Sequence, residues 1–390
     1  MRIGFVYDAL YPYVSGGAER RYYELASRLS ASHDVHYVTW QWWDGPAVIE
    51  MNGITFHGVG RPPALYGPDG KRRVREAAAF AARVVPLLLR QRWDVVDCSA
   101  TPCLPLYGAW AATRLTRTRL IATWHEFWGD HWLEYLPERP VVARVARWLE
   151  SFARRLADRV VVVSAFTLRR MAARSGKRHV VISNGVDLAV YSDDGASKRG
   201  SEWDVTYIGR LIDGKRVDLL LEALAQLRDR RPAVRCVIVG EGPARATLEA
   251  RAAALGLAER VRFLGRVDQS RAIDILRDTR TLVMPSAREG FGMAVIEAMA
   301  CGAVPIVVRG RHSAAADLVR DQVDGRICDA SSDAIAASID ELLGSPETLA
   351  GMRREARSTA ASFDWDAIAL EMERAYQMGA RVSPVSANAT

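Results

Sequence analysis

The feature that most constrains the fold is an alternation of short apolar runs, rich in β-branched residues, with longer amphipathic stretches. In the first half, the runs that we predict to be strands are residues 2–7, 35–40, 94–98, 120–124, 159–163 and 180–182. In the second half they are DVTYIGR, AVRCVIVGEGP, VRFLGRV, TLVMPSA and VPIVV. The stretches between them, such as AERRYYELASRLSA, have apolar residues at helical spacing. Strand–helix alternation of this kind builds parallel sheets with helices on both faces.

The alternation occurs twice, and the polar segment SDDGASKRGSE at 192–202 separates the two occurrences. We therefore predict an α/β protein of two doubly wound, Rossmann-like domains that face each other across a cleft. The predicted parts are an N-terminal domain at 1–190, a linker at 191–202, a C-terminal domain at 203–363, an amphipathic helix at 364–380 and a disordered tail at 381–390. Because open α/β sheets bind ligands at the carboxyl ends of their strands, we expect the site in the cleft.

The composition narrows the class of protein. The chain has 390 residues, enough for two domains, and is 49% hydrophobic and 25% charged. We predict neither a signal peptide nor a membrane-spanning segment, because no apolar run is long enough for either. The five cysteines lack CxxC pairing and are expected to be reduced thiols of a cytoplasmic protein. No His/Cys cluster has ligand spacing, so we predict no metal site. We also expect no cofactor.

The charge is distributed unevenly. Residues 1–200 carry 28 Lys and Arg against 19 Asp and Glu, whereas residues 201–390 carry 25 against 27. The basic first half fits either solvated helix faces or an anionic partner. Two stretches of this half are basic and amphipathic, which favours peripheral contact with the inner face of a membrane. They are KRRVREAAAFAARVVPLLLRQR and VVARVARWLESFARRLADR. We expect no nucleic-acid partner.

Three strand-to-helix junctions carry residues suited to phosphate. In SGGAERR (15–21), Gly16 and Gly17 let the backbone approach a ligand, and the helix that follows favours an anion, although a plain turn would also need glycine. In IGRLIDGKRVDLLLEAL (208–224), Arg210 and Lys215 either clamp a diphosphate or are simply solvated. In VGEGPAR (239–245), the glycines are typical of a turn, and Glu241 is a candidate to face the cleft.

An aromatic loop, TWHEFWGDHW (123–132), follows a predicted strand. His125 could contact a sugar hydroxyl or stabilise developing charge. Trp124 and Trp128 could stack on a sugar ring, and core packing is the alternative for both.

The segment SAREGFGMAVIEAMACG (286–302) joins a glycine turn to an apolar helix and carries two carboxylates. Phosphate at the helix start would meet the backbone N–H groups of Gly292 and Met293. Glu289 could bind sugar hydroxyls, and Glu297 a ribose. An ordinary helix glutamate is the alternative for Glu297, but its apolar surroundings require a partner for the charge.

These motifs together resemble the family 4 type of retaining glycosyltransferases, which have the GT-B fold. The resemblance rests on EGFGMAVIEAMACGAVPIVV, which contains the E-x7-E signature, and extends to GGAER, VVVSAFTLRRM, ISNGVD, GRL…K and VGEGP. It implies transfer of a hexose-type sugar from a UDP- or GDP-sugar to a hydroxyl acceptor, which is a glycan, a lipid or a small metabolite. It also implies retention at the anomeric carbon without a required metal, the nucleotide-sugar being a co-substrate. By the same resemblance, the domain at 203–363 would bind the donor and the domain at 1–190 the acceptor, with Trp124 and Trp128 on the acceptor side. The helix at 364–380 would cross back to the N-terminal domain.

The resemblance assigns roles to residues of this chain. Arg210 and Lys215 would neutralise the diphosphate, Glu289 would hold the sugar, Glu297 the ribose, and His125 would lie near the reacting centre. The further implied donor-binding positions are Gly16, Gly17, Arg266, Val267, Gly290, Phe291, Gly292 and Met293. The leaving diphosphate would take the acceptor proton on the front face, so the two glutamates are binding groups.

Two departures and two rival functions stay open. The family commonly has Lys-Gly where this chain has Lys215-Arg216, so the turn there could differ, and the aromatic loop is richer in tryptophan. Another GT-B enzyme, such as a nucleotide-sugar epimerase or a phosphorylase, is one alternative. A basic surface-binding protein without catalysis is the other.

Overall fold

A computed structural model describes residues 1–65, 73–172, 176, 178–192 and 202–377. Most of the predicted linker (193–201), the last part of the predicted C-terminal helix (378–380) and the predicted tail lie outside the described residues. None of the described helices combines the length and the apolar character that crossing a membrane requires.

An eight-stranded sheet forms the centre of the N-terminal domain. Its strands are β1 (Arg2–Val6), β2 (Asp34–Thr39), β3 (Val48–Met51), β4 (Ile54–Gly58), β5 (Val95–Ser99), β6 (Arg119–Trp124), β7 (Arg159–Val162) and β8 (His179–Val181). Their spatial order is β3-β4-β2-β1-β5-β6-β7-β8, and each neighbouring pair is parallel except β3 with β4. The helices are α1 (Gly17–Leu29), α2 (Val74–Arg90), α3 (Leu104–Thr116), α4 (His131–Tyr135), α5 (Pro140–Ala153), α6 (Ala165–Arg170) and α7 (Leu188–Tyr191).

A six-stranded parallel sheet forms the centre of the C-terminal domain, in the order β11-β10-β9-β12-β14-β16, and β13 pairs with β15 beside it. The strands are β9 (Trp203–Ile208), β10 (Cys236–Val239), β11 (Val261–Gly265), β12 (Thr279–Met284), β13 (Arg288–Glu289), β14 (Val304–Val308), β15 (His312–Ser313) and β16 (Arg326–Cys328). The helices are α8 (Val217–Gln226), α9 (Arg245–Ala254), α10 (Gln269–Arg277), α11 (Met293–Cys301), α12 (Ser332–Gly344), α13 (Pro346–Ala361) and α14 (Trp365–Gln377).

Each sheet has its own apolar core, and α14 returns to the first. Trp365 and Met372 of α14 are fully buried in the core of the N-terminal domain, where the helix packs on α1. The Tyr376 hydroxyl donates to the buried Asp97 carboxylate at 2.6 Å. In contrast, Tyr191 of α7 packs in the core of the C-terminal domain, so the chain leaves the first core slightly before residue 190.

The prediction of two doubly wound α/β domains is confirmed, and one hairpin was missed. The strands β3 and β4 form an antiparallel edge pair that the sequence prediction omitted. Its signal is the Asn52-Gly53 dipeptide between apolar runs. Both residues have positive φ (53° and 73°), as a two-residue type I′ hairpin requires.

Candidate active site

The starts of α1 and α11 meet at the boundary between the two domains. A Cβ on Gly17 would lie 2.8 Å from Cγ of Met293, so this close approach requires glycine. Gly16 has extended backbone (φ −173°), which any residue adopts. The N-cap residues Gly16 and Gly292 have no side chain to cap their helices, so the first-turn N–H groups of both helices face the boundary.

The loop before α11 packs against the N-terminal domain. Gly292 has φ 116°, a left-handed conformation that favours glycine. At Gly290, a Cβ would overlap the carbonyl oxygen of His125, and the Ser164 hydroxyl donates to the Gly290 carbonyl at 3.0 Å. Phe291 is buried against Phe363, with ring centroids 5.9 Å apart. The glycine turn is therefore shaped by contact with the opposite domain as well as by its own backbone.

Lys215 and Glu289 form an ion pair within the C-terminal domain. Both side chains are mostly buried, with 18% and 13% of their surface exposed. Arg210 is exposed. Burial and the nearby Glu289 raise the pKa of the Tyr207 hydroxyl, and the charge of Arg210 offsets part of that increase. The turn after Lys215 places Arg216 in left-handed conformation (φ 52°), the geometry for which glycine is the usual residue.

Glu297 has the partner that its apolar surroundings required, and the partner comes from the other domain. The Arg20 Nη1 group of α1 donates to Glu297 Oε1 at 3.0 Å, and the Tyr191 hydroxyl donates to the same oxygen at 3.1 Å. Arg20 Nη1 also donates to the Tyr191 hydroxyl at 2.8 Å. The predicted ribose carboxylate is thus part of an interdomain hydrogen-bond network.

His125 follows β6 and has two buried ring nitrogens without a hydrogen-bond partner among the described residues. Burial, with a smaller effect of Arg21, lowers the imidazole pKa to about 3. The ring stacks on Tyr7 at 6.2 Å between centroids. A neutral imidazole with free donor and acceptor positions is suited to contacting a polar ligand.

Of the two tryptophans predicted on the acceptor side, the structure corrects one. Trp124 is completely buried and packs on Phe127 in the core, because β6 is a central strand, so its ring cannot reach a ligand here. Trp128 is partly exposed, and the Arg288 guanidinium lies 3.5 Å from its ring centroid. Arg288 also forms an ion pair with Glu126 across the boundary.

The three remaining predicted donor residues, Glu241, Arg266 and Val267, lie on the loops that follow β10 and β11 of the second sheet. Arg266 Nη2 donates to the Ser15 hydroxyl at 2.7 Å, which joins its loop to the glycines of the first domain. Glu241 is exposed and pairs with Arg245. The Val267 side chain is partly buried and packs against a small apolar cluster around Trp203.

Sequence reasoning missed the residues that join the domains. These residues lie within or near the motifs described above: Arg20, Tyr191, Glu126 and Arg288. Their partners are 106 to 277 residues away in the chain, so the sequence gives no sign of which residues pair. Only the unpaired charge predicted at Glu297 was a usable signal.

His131, Glu134 and His312 bring three potential metal-ligating atoms within 4.8 Å of one another, a cluster that the sequence did not predict. Arg170 Nη1 lies 2.5 Å from His312 Nδ1 and can only donate. His312 therefore carries its proton on Nε2, 3.4 Å from a Glu134 oxygen, and has no free lone pair for a metal while Arg170 stays in place. We interpret the cluster as a hydrogen-bond chain between the domains.

Known proteins resemble both halves of the chain. Residues 15–190 match the family described as "Glycosyltransferase Family 4", and residues 193–359 match "Glycosyl transferases group 1". A D-inositol 3-phosphate glycosyltransferase of Segniliparus rotundus is 32% identical over 59% of this chain and 55% of its own length. The match to this relative thus spans about half its length. A GDP-mannose-dependent alpha-(1-6)-phosphatidylinositol dimannoside mannosyltransferase of Mycobacterium tuberculosis is 28% identical over 76% of each chain.

Solved structures share the whole architecture. Sucrose-phosphate synthase from Thermosynechococcus elongatus has a TM-score of 0.81 at 21% identity and covers 97% of this chain and 98% of its own. Anabaena Alr3699/HepE in complex with UDP-glucose has a TM-score of 0.73 at 22% identity and covers 96% and 98%. The two family matches together span most of the chain, and the E-x7-E segment and the two-domain architecture agree with them. The chain therefore belongs to the family 4 glycosyltransferases and has the GT-B fold.

Proposed function

We propose that this protein transfers a hexose-type sugar from a UDP- or GDP-sugar to a hydroxyl acceptor, with retention at the anomeric carbon. The observation that carries the proposal is the Lys215–Glu289 pair beside the uncapped start of α11, with His125 across the boundary. A cation, free N–H groups and a carboxylate at one place match the diphosphate and the sugar of such a donor. The names of a GDP-mannose-dependent relative and of a neighbour bound to UDP-glucose support both nucleotides.

The proposed reaction needs little from the protein beyond binding and positive charge. The bond from the anomeric carbon to the diphosphate oxygen breaks, and Arg210, Lys215 and the α11 N–H groups stabilise the charge that develops on that oxygen. The acceptor oxygen bonds to the same face of the anomeric carbon, and its proton passes to the diphosphate. Glu289 would hold sugar hydroxyls, and His125, neutral at physiological pH, could donate to the sugar without adding charge.

We also propose that no metal is required, because Arg210 and Lys215 supply the positive charge at the diphosphate. Chelation with EDTA is then expected to leave turnover unchanged, and recovery of a lost activity by Mg²⁺ or Mn²⁺ would contradict this.

A donor screen tests the function directly. Thermal shift and slow hydrolysis are measured with UDP-, GDP-, ADP- and dTDP-sugars, and the anomer first released is identified by NMR. We expect one nucleotide class to stabilise the protein and its sugar to be released as the donor's own anomer. An inverted product would contradict retention. An altered sugar without acceptor would indicate an epimerase, and a requirement for phosphate a phosphorylase.

We further propose that the N-terminal domain contacts an anionic membrane surface through α5. Four apolar side chains at helical spacing form an exposed stripe on this helix: Val141, Val145, Trp148 and Phe152. The exposed cations Arg139, Arg144 and Arg155 lie on or beside the helix and form no ion pair with other described residues. An apolar stripe with adjacent cations fits the interface of a bilayer that contains acidic lipid.

Vesicle sedimentation tests this contact. We expect the protein to bind phosphatidylglycerol vesicles more strongly than phosphatidylcholine vesicles, and the substitution Trp148→Ser to weaken that binding severalfold. The matched control is Leu370→Ser, which removes an exposed leucine of α14. Equal binding to both vesicles, or none, would contradict the proposal, and concentration-dependent dimerisation that Trp148→Ser abolishes would assign the stripe to a second copy instead.

A further inference from the structure

A buried carboxylate lies behind the aromatic loop and has no role in the reaction described above. Glu150 is on the inner face of α5 and is 4% exposed. Its Oε1 accepts from the Trp128 amide at 2.9 Å, and its Oε2 accepts from the Gly129 amide at 2.8 Å and from Trp132 Nε1 at 3.1 Å. Three N–H donors thus converge on one side chain from outside its helix.

The loop between β6 and α4 is held from its other side as well. Arg170 of α6 donates from Nε to the Phe127 carbonyl at 3.1 Å and from Nη2 to the Trp128 carbonyl at 2.7 Å. A carboxylate therefore binds the amide groups of the loop and a guanidinium binds its carbonyls. Fixing both kinds of backbone group restricts the loop to one conformation.

This loop carries the residues that reach the candidate active site. His125 is at its start, and Glu126 forms the ion pair with Arg288, whose guanidinium lies on the Trp128 ring. Arg288 is adjacent to Glu289 in β13. A contiguous set of contacts consequently connects Glu150 to the carboxylate proposed to hold the sugar.

We propose that Glu150 is a positioning residue, which holds the 125–130 loop in the geometry that sugar transfer needs. The proposal rests on the proposed function for its effect on turnover, whereas the effect on the loop itself does not depend on it. A carboxylate is required because its two oxygens accept three hydrogen bonds, and a glutamine would turn an NH₂ group towards an N–H donor.

Protonation of Glu150 provides a second readout. Burial raises the pKa of this carboxyl to about 7, against the three N–H donors, which lower it, and Glu126 raises it further. Cys103, before α3, is a further ionisable group beside Glu150, and burial and Glu150 raise the pKa of its thiol to about 12. The Arg170 guanidinium binds the other side of the loop, at the Trp128 carbonyl. A protonated Glu150 has lost an acceptor position, so the loop is expected to loosen as pH falls through about 7.

The experiment combines hydrogen exchange with kinetics in the full chain. Peptides covering 124–135 are followed by mass spectrometry at pH 6 and pH 8 in the wild type, Glu150→Gln and Glu138→Gln, a control that alters an exposed carboxylate just before α5. We expect about tenfold faster exchange in these peptides for Glu150→Gln at pH 8, no change elsewhere, and no effect of the control. Intrinsic amide exchange slows as pH falls, so the two pH values are compared as protection factors. In the wild type, the protection of these peptides should fall between pH 8 and pH 6.

Kinetics then separate positioning from simple destabilisation. Hydrolysis of UDP-glucose and GDP-mannose should fall about tenfold in kcat for Glu150→Gln, with UDP and GDP affinity within twofold and the pH dependence near 7 removed. Trp132→Phe, which removes one donor and keeps the carboxylate, should give a smaller change of the same kind. Unchanged loop exchange, or faster exchange throughout the domain, would overturn the proposal. If the wild type hydrolyses neither donor, the exchange result still decides the role of Glu150.

Discussion

Glu289 and Glu297 belong to one loop–helix segment, yet they are paired in opposite ways. Glu289 binds Lys215 within its own domain, whereas Glu297 binds Arg20 of the other domain and Tyr191 of the connecting helix. The first pair survives any relative movement of the domains. The second exists only while they are closed together. The same residue type in one short segment thus forms an ion pair within one domain at the position that we propose for sugar binding, and an interdomain contact at the other.

The largest expected effect is on Glu289. The substitution Glu289→Ala should lower donor-sugar turnover roughly 100-fold, because charge-assisted hydrogen bonds to the sugar are lost while the nucleotide contacts stay. Nucleotide affinity, measured by calorimetry with UDP and GDP, should change by less than about threefold. Glu249→Ala, which removes an exposed carboxylate of α9, is the control. Unchanged turnover would contradict the role of Glu289.

A smaller effect, on stability, is expected for Arg20→Ala. Without Arg20, the Glu297 carboxylate would keep the hydrogen bond from Tyr191 but lose its positive partner, and its side chain is only 15% exposed. A mostly buried charge without a counter-charge should reduce the free energy of unfolding by about 2–3 kcal/mol. Denaturant unfolding measures this, with exposed Arg75→Ala as the control. If Glu297 binds the ribose, UDP or GDP should restore part of the loss, since the ribose would replace the missing donors. An unchanged free energy of unfolding would show that the Arg20–Glu297 pair does not stabilise the protein.

Acidification tests the residue that lies between the two domains, His125. Its pKa is lowered to about 3 in the folded state by burial, so the unfolded chain binds the proton more readily. The stability associated with the neutral ring is complete above about pH 6.5 and is lost as pH falls towards 3. We expect roughly 2 kcal/mol of it to disappear between pH 7 and pH 5, and His125→Gln to lack that loss in parallel unfolding titrations. Identical pH profiles for the wild type and His125→Gln would show that the His125 ring is solvated in the folded protein.

The smallest expected effect is on Tyr191. Tyr191→Phe removes one of the two hydrogen bonds to Glu297 and should cost about 1 kcal/mol of unfolding free energy. Because Arg20 also donates to the Tyr191 hydroxyl, the double variant with Arg20→Ala should cost less than the sum of the single changes. Strict additivity in this double-mutant cycle would show that the two groups bind Glu297 independently.

Local patterns were sufficient for most of the fold. Buried parallel strands produce apolar β-branched runs and amphipathic helices a 3.6-residue period, so the two domains could be predicted. The β3–β4 hairpin was missed because its two strands are only four and five residues long, although Asn52-Gly53 marked the turn. Trp124 was misplaced because a strand end looks the same in sequence whether its last ring points into the core or into the cleft.

The sequence by itself determined the fold class, the position of the glycine turns and the need of Glu297 for a partner, since these depend on spacing and on the cost of burying charge. Only the tertiary structure decided that the partner is Arg20, that Trp128 lies on Arg288 and that Glu150 holds the loop behind them. Those contacts join residues far apart in the chain, and the packing of one domain against the other creates them. Chain order carries no record of such packing.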